Sequence, residues 1–333
     1  MPRNIATDIR SLALATFTLA AVTACQNEGP IGPTKLDGPR ISASDGQGSS
    51  VKIKPTLYFN GILFEGSHDA PSGEIYSINP DGSSLFRLTN DDVTDAYPDV
   101  YPNGPAFVWA RFSGNGQTSD IYTQNLDGSK RKRLTFLNTI VLSPRYSPDG
   151  KKIAFTAVVP GAGAEIFTMN ADGTGIARLT TSANNSGSPS WSPDGSKIAF
   201  QSSDNNGIAG VWVMNASGSG QTLLASCPSP GCTHPKWSPV ANEIAVEHID
   251  GSGIFVIDAT TGAQTAYIPS SVNDMMPTWS KDGKNIIFSS ARSNNGTYDL
   301  FSTEPLRGGA TAPPPAVRLT TLLGDELSPA YSR

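Results

Sequence analysis

Three acidic residues recur at one place in a repeated pattern. Asp95, Asp274 and Glu326 each stand three residues before a proline (Pro98, Pro277 and Pro329), and Asp325 adds a further acid beside the last. Carboxylates gathered along one rim would attract a cation or a basic peptide segment. The same side chains also cap loops by accepting backbone N–H bonds, a purely structural use. The corresponding positions in the other copies hold Val141, Ser186 and Cys232, and nearby Arg145, His234 and Lys236 supply the opposite sign. These seven residues, Asp95, Arg145, His234, Lys236, Asp274, Asp325 and Glu326, form the candidate partner-binding set. His68, His234 and His248 fall in or beside loops on different repeats, so convergence on one ion is not expected; His234 lies closest to the shared mouth.

Catalytic signatures are missing from the sequence. No serine has glycine two before and two after it, so no nucleophile elbow can form. No HExxH occurs, and the Gly-x-Gly stretches at Gly161 and Gly218 lack the third glycine and the following helix of a dinucleotide site. Neither a cofactor nor a metal is expected. The 333 residues carry a formal charge of -5, which provides no field to hold a nucleic-acid backbone. Gly (33) and Pro (26) would interrupt long helices but suit short strands and tight turns, so an all-β domain is expected.

The N-terminus reads as an address. Arg3 and Arg10 precede the uncharged run Ser11 to Val22, too short to span a bilayer and suited to a signal-peptide core. Val22-Thr-Ala-Cys25 resembles the lipobox of bacterial lipoproteins, which implies a signal peptide over 1–24 and lipidation of Cys25. An ordinary secretory signal is the alternative. Residues 25–54, rich in Gly, Pro and Ser, read as a flexible tether. In an oxidising compartment Cys227 and Cys232 are expected to form a disulfide; a lone pair of thiolates makes a poor zinc set.

What must position the candidate residues is a repeat of about 46 residues over 55–333. Its landmark appears as SPSWSPDG (188–195), SPRYSPDG (143–150), HPKWSPVA (234–241), MPTWSKDG (276–283), YPDVYPNG (97–104) and SPAYSR (328–333). In SPDG, Pro suits the second position of a β-turn and Gly the position needing positive φ. A buried run such as KIAF follows, then an aromatic strand such as EIFTMN, then Asp-Gly and a strand ending Arg-Leu-Thr. Four strands in each of six units predict a six-bladed β-propeller of antiparallel blades. Because the repeat phase begins at the second strand, placed at Thr56–Phe59, the C-terminal strand around 328–332 should join the N-terminal strands of 56–89. The A-to-B and C-to-D turns should be short and uniform on one face, with variable loops on the other, where binding usually lives. Arg111 with Asp120, and Arg292 with Asp299, are expected as cross-strand ion pairs.

The pattern WSPDGxxIAF…IYxMNxDG…RLT is similar to the TolB-type, WD-like propeller repeat. The resemblance implies an exported envelope protein, periplasmic or at the outer membrane, that docks an envelope protein or peptide as a binding or scaffold module. With the lipobox it implies a membrane-anchored monomer. TolB proper has an α/β domain where this chain has its tether. The alternative is a carbohydrate-active or other hydrolase or lyase propeller using funnel residues. Carboxylates about 5 to 10 Å apart would favour a glycosidase, and an apolar or hydrogen-bonding rim would favour docking.

Overall fold

The computed structural model describes residues 60–331 apart from 68–71, 182–184, 204–206, 208, 228–229, 271, 294–295, 309–314 and 322–323. The expected signal peptide, Cys25, the tether, His68 and the 56–59 segment lie outside the described residues. No helix occurs among the described residues.

Six antiparallel sheets make six blades, with strands A to D running from the inside outward. Blade 2, for example, comprises Asp95–Val100, Ala106–Phe112, Ser119–Asn125 and Lys132–Arg133. The A strands of blades 3 to 6 are Val141–Tyr146, Ser186–Trp191, Cys232–Trp237 and Asp274–Trp279. Blade 1 takes its A strand, Glu326–Tyr331, from the C-terminus and sets it antiparallel against Ile62–Gly66. Each A strand also touches the A strands of the blades on either side, so the ring is closed. The second strand of blade 1 is thus Ile62–Gly66, a few residues later than the 56–59 placement. Its Ile62-Leu63-Phe64 occupies the place of Ile153-Ala154-Phe155 in blade 3.

The B strands are apolar because both of their faces are covered, one by each neighbouring blade. Phe64, Trp109, Phe155, Phe200 and Phe288 are fully or almost fully buried there. The aromatic at the end of strand A ties successive blades together. Trp191 Nε1 donates to Arg145 O at 3.1 Å and Trp279 Nε1 to Lys236 O at 2.9 Å. In SPDG the Asp149 carboxylate accepts both the Ser147 hydroxyl at 2.7 Å and the Lys151 N–H at 3.0 Å.

The A strands share a further device. The residue before each landmark proline, namely Tyr97, Ser143, Ser188, His234, Met276 and Ser328, has φ between 50° and 55°. The A–B register shifts at the same place in every blade. This is a β-bulge, and proline suits it because a bulge leaves a ladder position without a donor requirement. Left-handed backbone costs a non-glycine residue about 1 kcal/mol or more. The preceding blade offsets that cost by accepting the bulged N–H on a B-strand side chain. Ser188 N donates to Thr156 Oγ1 and His234 N to Gln201 Oε1, both at 3.1 Å, while Met276 N donates to Glu247 and Tyr97 N to Glu65.

One connection departs from the expected uniform turns. In blade 6 the path from strand C (Asp299–Thr303) to strand D (Val317–Arg318) is long, and its Leu306–Arg307 pairs with the outer strand of blade 5 as a fifth strand. Arg307 clamps it there, donating to Glu243 Oε1 at 2.7 Å and Oε2 at 2.8 Å.

The turns between strands C and D yield a graded prediction. Gly262 and Gly128 both sit at positive φ, 72° and 80°, but a Cβ at Gly262 would lie 2.0 Å from Leu224 O, whereas one at Gly128 meets nothing. Gly128→Ala should cost about 1 kcal/mol from backbone strain alone. Gly262→Ala should cost clearly more, because backbone atoms of blade 4 must move. Urea unfolding of the two variants checks this; equal losses would contradict it.

Candidate functional site

Four of the six blades carry a similar clasp at their loop-side end. An acid stands near the start of strand C and the Arg of Arg-Leu-Thr reaches back to it; the Thr bonds the same acid in blades 1 to 3, whereas Thr320 of blade 6 donates to Glu326. Arg87 meets Glu74 at 2.9 Å, Arg133 meets Asp120 at 2.6 Å, Arg178 meets Glu165 at 2.7 Å and Arg318 meets Asp299 at 2.8 Å. The Thr hydroxyls accept the next strand-C N–H, from Ile75, Ile121, Ile166 and Leu300, at 2.8 to 2.9 Å. Blades 4 and 5 have Gly210 and Gly253 in place of the acid and lack Arg-Leu-Thr as well. That joint presence and joint loss was readable in the sequence but was not used.

These clasps explain where the expected ion pairs go. Arg111 and Asp120 are register partners, yet Arg111 turns to Asp91 at 2.6 Å and Asp95 at 3.2 Å, leaving Asp120 to Arg133. Likewise Arg292 bonds Asp274, and Asp299 belongs to Arg318. The pairing of Arg111 with Asp120 and of Arg292 with Asp299 is therefore corrected: each arginine serves the acid of strand A instead.

The three recurring carboxylates consequently point into the blades. Asp95 and Glu326 have 0% exposure and Asp274 1%. Asp274 accepts the Ser290 hydroxyl at 2.5 Å and Arg292 Nε at 3.2 Å. Glu326 accepts the Thr320 hydroxyl at 2.7 Å, and Asp325 accepts the Tyr298 N–H at 3.0 Å. Burial pushes Asp95 up to about 7 and Glu326 up to about 9, the latter helped by the neighbouring Asp299. Glu74, Asp91 and Asp95 lie close enough to share a cation. Arg87, Arg111 and Arg131 already balance them, with Arg131 3.2 Å from Asp91.

A buried apolar cluster fills this end of blades 1, 2 and 6. Tyr97, Met275, Met276 and Leu327 from blades 2, 6 and 1 pack together with Ala96 and Ala110, and the half-buried Phe112, Leu142 and Tyr298 edge the cluster. Beside this cluster, in blade 5, the lining turns polar. His234 Nδ1 lies 2.8 Å from Glu247 Oε1, which also accepts the Thr233 hydroxyl at 2.8 Å. Burial pushes Glu247 up, but His234, the Met276 N–H and Thr233 together bring it below the usual glutamate value. His248 stands in the same blade as His234 rather than on a separate one, and its Nδ1 is 2.6 Å from Asp250. The two imidazoles thus serve different carboxylates.

Deeper in the ring, Arg145 is buried and donates to the carbonyls of Pro98 and Pro144 at 3.0 Å. Lys236 lines a cavity of about 30 Å³ with Asp99 and Thr278, room for roughly one water. A Cys227–Cys232 disulfide closes the loop between blades 4 and 5.

Residues 65–227 match the family model described as the TolB beta propeller domain. The Protein TolB homolog of Chlorobium chlorochromatii is 38% identical, over 31% of this chain and 32% of its own. The Tol-Pal system protein TolB of Roseobacter denitrificans is 31% identical, over 34% of this chain and 26% of its own. The matches thus span about a third or less of either relative. TolB from Acinetobacter baumannii superimposes with a TM-score of 0.65 at 20% identity, covering 84% of this chain and 68% of that one. The chain is thus a closed six-bladed propeller in which residues 65–227 match the TolB beta propeller domain.

Proposed function

We propose that this protein is an exported docking module of the bacterial cell envelope, held at a membrane through Cys25 and binding an envelope protein or peptide at the loop-side mouth. The observation that carries the reading is the mouth itself. Its recurrent acids are buried and bonded inside the blades, and the half-buried Phe112, Leu142 and Tyr298 edge a buried apolar cluster of Tyr97, Met275, Met276 and Leu327. Methionine and aromatic side chains adapt to an apolar partner segment while excluding water. The polar side, with His234 and Thr233, supplies hydrogen bonds for register. The resemblance to a protein named for the Tol-Pal system supports the envelope setting.

Photo-cross-linking in intact cells tests this reading. A cross-linker placed at Leu142 or Tyr298 should capture a discrete envelope partner, and one at the turn-side Ser217 should not. Equal capture from both faces, or from neither, would overturn it. Anchoring is tested separately: Cys25→Ala should abolish incorporation of labelled fatty acid and move the protein from the membrane to the soluble fraction. An unchanged distribution would refute the anchor.

A further inference from the structure

The A-to-B turns of successive blades are stacked on one another. A Cβ at Gly150 would sit 2.6 Å from the Tyr101 ring of the preceding turn and one at Gly283 2.4 Å from Val240, while one at Gly195 would touch Pro148 at 3.5 Å. At the closing blade this turn is severed. Its A strand comes from the C-terminus and ends at Tyr331, and its B strand starts at Ile62. A groove of about 410 Å³ lies there, lined by Lys281 and Asp282 of the blade 6 turn together with Ile62, Ile287, Ser302 and Tyr331.

Asn60, the first described residue, lies at the edge of this groove, where its Oδ1 accepts the Tyr331 hydroxyl at 3.4 Å. Residues 51–59 read VKIKPTLYF, in which Val51, Ile53, Leu57 and Phe59 alternate with Lys52, Lys54 and Tyr58 around Pro55. This is an extended, half-apolar pattern unlike the Gly- and Ser-rich stretch before it. We propose that Val51–Phe59 fills the groove, replaces the missing turn and locks the ring at its seam. Seated there, the segment would lead the preceding chain off the turn face, opposite the docking mouth. The occupancy itself does not depend on the docking reading.

Hydrogen exchange on the full-length protein tests the proposal. Amides from Lys52 to Phe59 should exchange at least about tenfold more slowly than in a free peptide of the same sequence. In Ser302→Trp and Asn285→Trp, which narrow the groove, that protection should vanish while the Val211–Met214 amides of blade 4 remain unchanged. Two narrowing sites are used so that misfolding of one variant, visible at blade 4, does not decide the outcome. Peptide-like exchange in the unmodified protein would overturn the proposal. So would protection that survives both substitutions, or a dimer whose formation either substitution abolishes, since a second copy would then be the occupant.

Discussion

Arg292→Ala is expected to lower the unfolding free energy by about 3 to 5 kcal/mol at pH 7, the usual consequence of stranding one buried charge. Asp274 is 1% exposed and relies on Arg292 for its counter-charge, with the Ser290 hydroxyl as the other donor. The guanidinium also lies 5.4 Å from the centre of the Phe288 ring and donates to Pro269 O at 3.1 Å, so it ties blade 6 to the end of blade 5's fourth strand. Arg292→Ala with Asp274→Asn should recover most of the loss, because no buried charge is then left unpaired. Urea unfolding followed by both circular dichroism and tryptophan fluorescence measures both variants. A single-variant loss under about 1 kcal/mol would mean that solvent reaches Asp274 and that the carboxylate faces the mouth after all.

Stability should fall as pH rises through the neutral range, opposite to the behaviour of a protein held by salt-bridged acids. Glu65 is buried, 8% exposed, at the seam between blades 1 and 2, and burial pushes it up to about 8, with Asp325 and Asp95 adding repulsion. Glu326 is raised to about 9 and Asp95 to about 7. A group that holds its proton more tightly when folded stabilises fully below its unfolded value, near 4.5 for glutamate, and that contribution is lost as pH climbs to the folded value. The decline should therefore run from about pH 4.5 to pH 9, steepest where all three groups are between their unfolded and folded values. Glu65→Gln keeps an oxygen for the Tyr97 N–H but carries no charge. It should gain on the order of 3 kcal/mol over the unmodified protein at pH 8 and little at pH 4.5. Thermal melts across that range decide it; a flat profile, or stability rising with pH, would show that Glu65 is solvated.

The repeat made the blades and ring closure legible because turn chemistry and strand burial are local. SPDG needs only its own hydroxyl, carboxylate and glycine, and KIAF needs only to be covered on both faces. The start of blade 1 was placed early because Tyr58 and Phe59 look as strand-like as Ile62 and Leu63, which are the residues that pair with Tyr331 and Ala330. The recurrent acids were found by spacing, but their direction was not legible. Whether Asp95 meets a partner or Arg111 depends on a bulge that reorients the strand two residues on, at Tyr97. The fifth strand at Leu306–Arg307 pairs across blades, which no single-repeat pattern encodes. The apolar cluster draws on four repeats, and although Ala96, Leu142, Met275 and Leu327 all stand two before a landmark proline, only the fold brings them to one end of the ring.

The most direct test joins the two halves of the site. The cross-link from Leu142 to its envelope partner should be measured in a variant carrying Asp95→Asn, Asp274→Asn and Glu326→Gln. If these acids are buried braces and the mouth binds through the apolar edge of Phe112, Leu142 and Tyr298, the same partner band persists at similar intensity while the melting temperature shifts. Loss of the band from a protein that still unfolds cooperatively would instead make the carboxylates the recognition element, and the apolar edge would be mere packing.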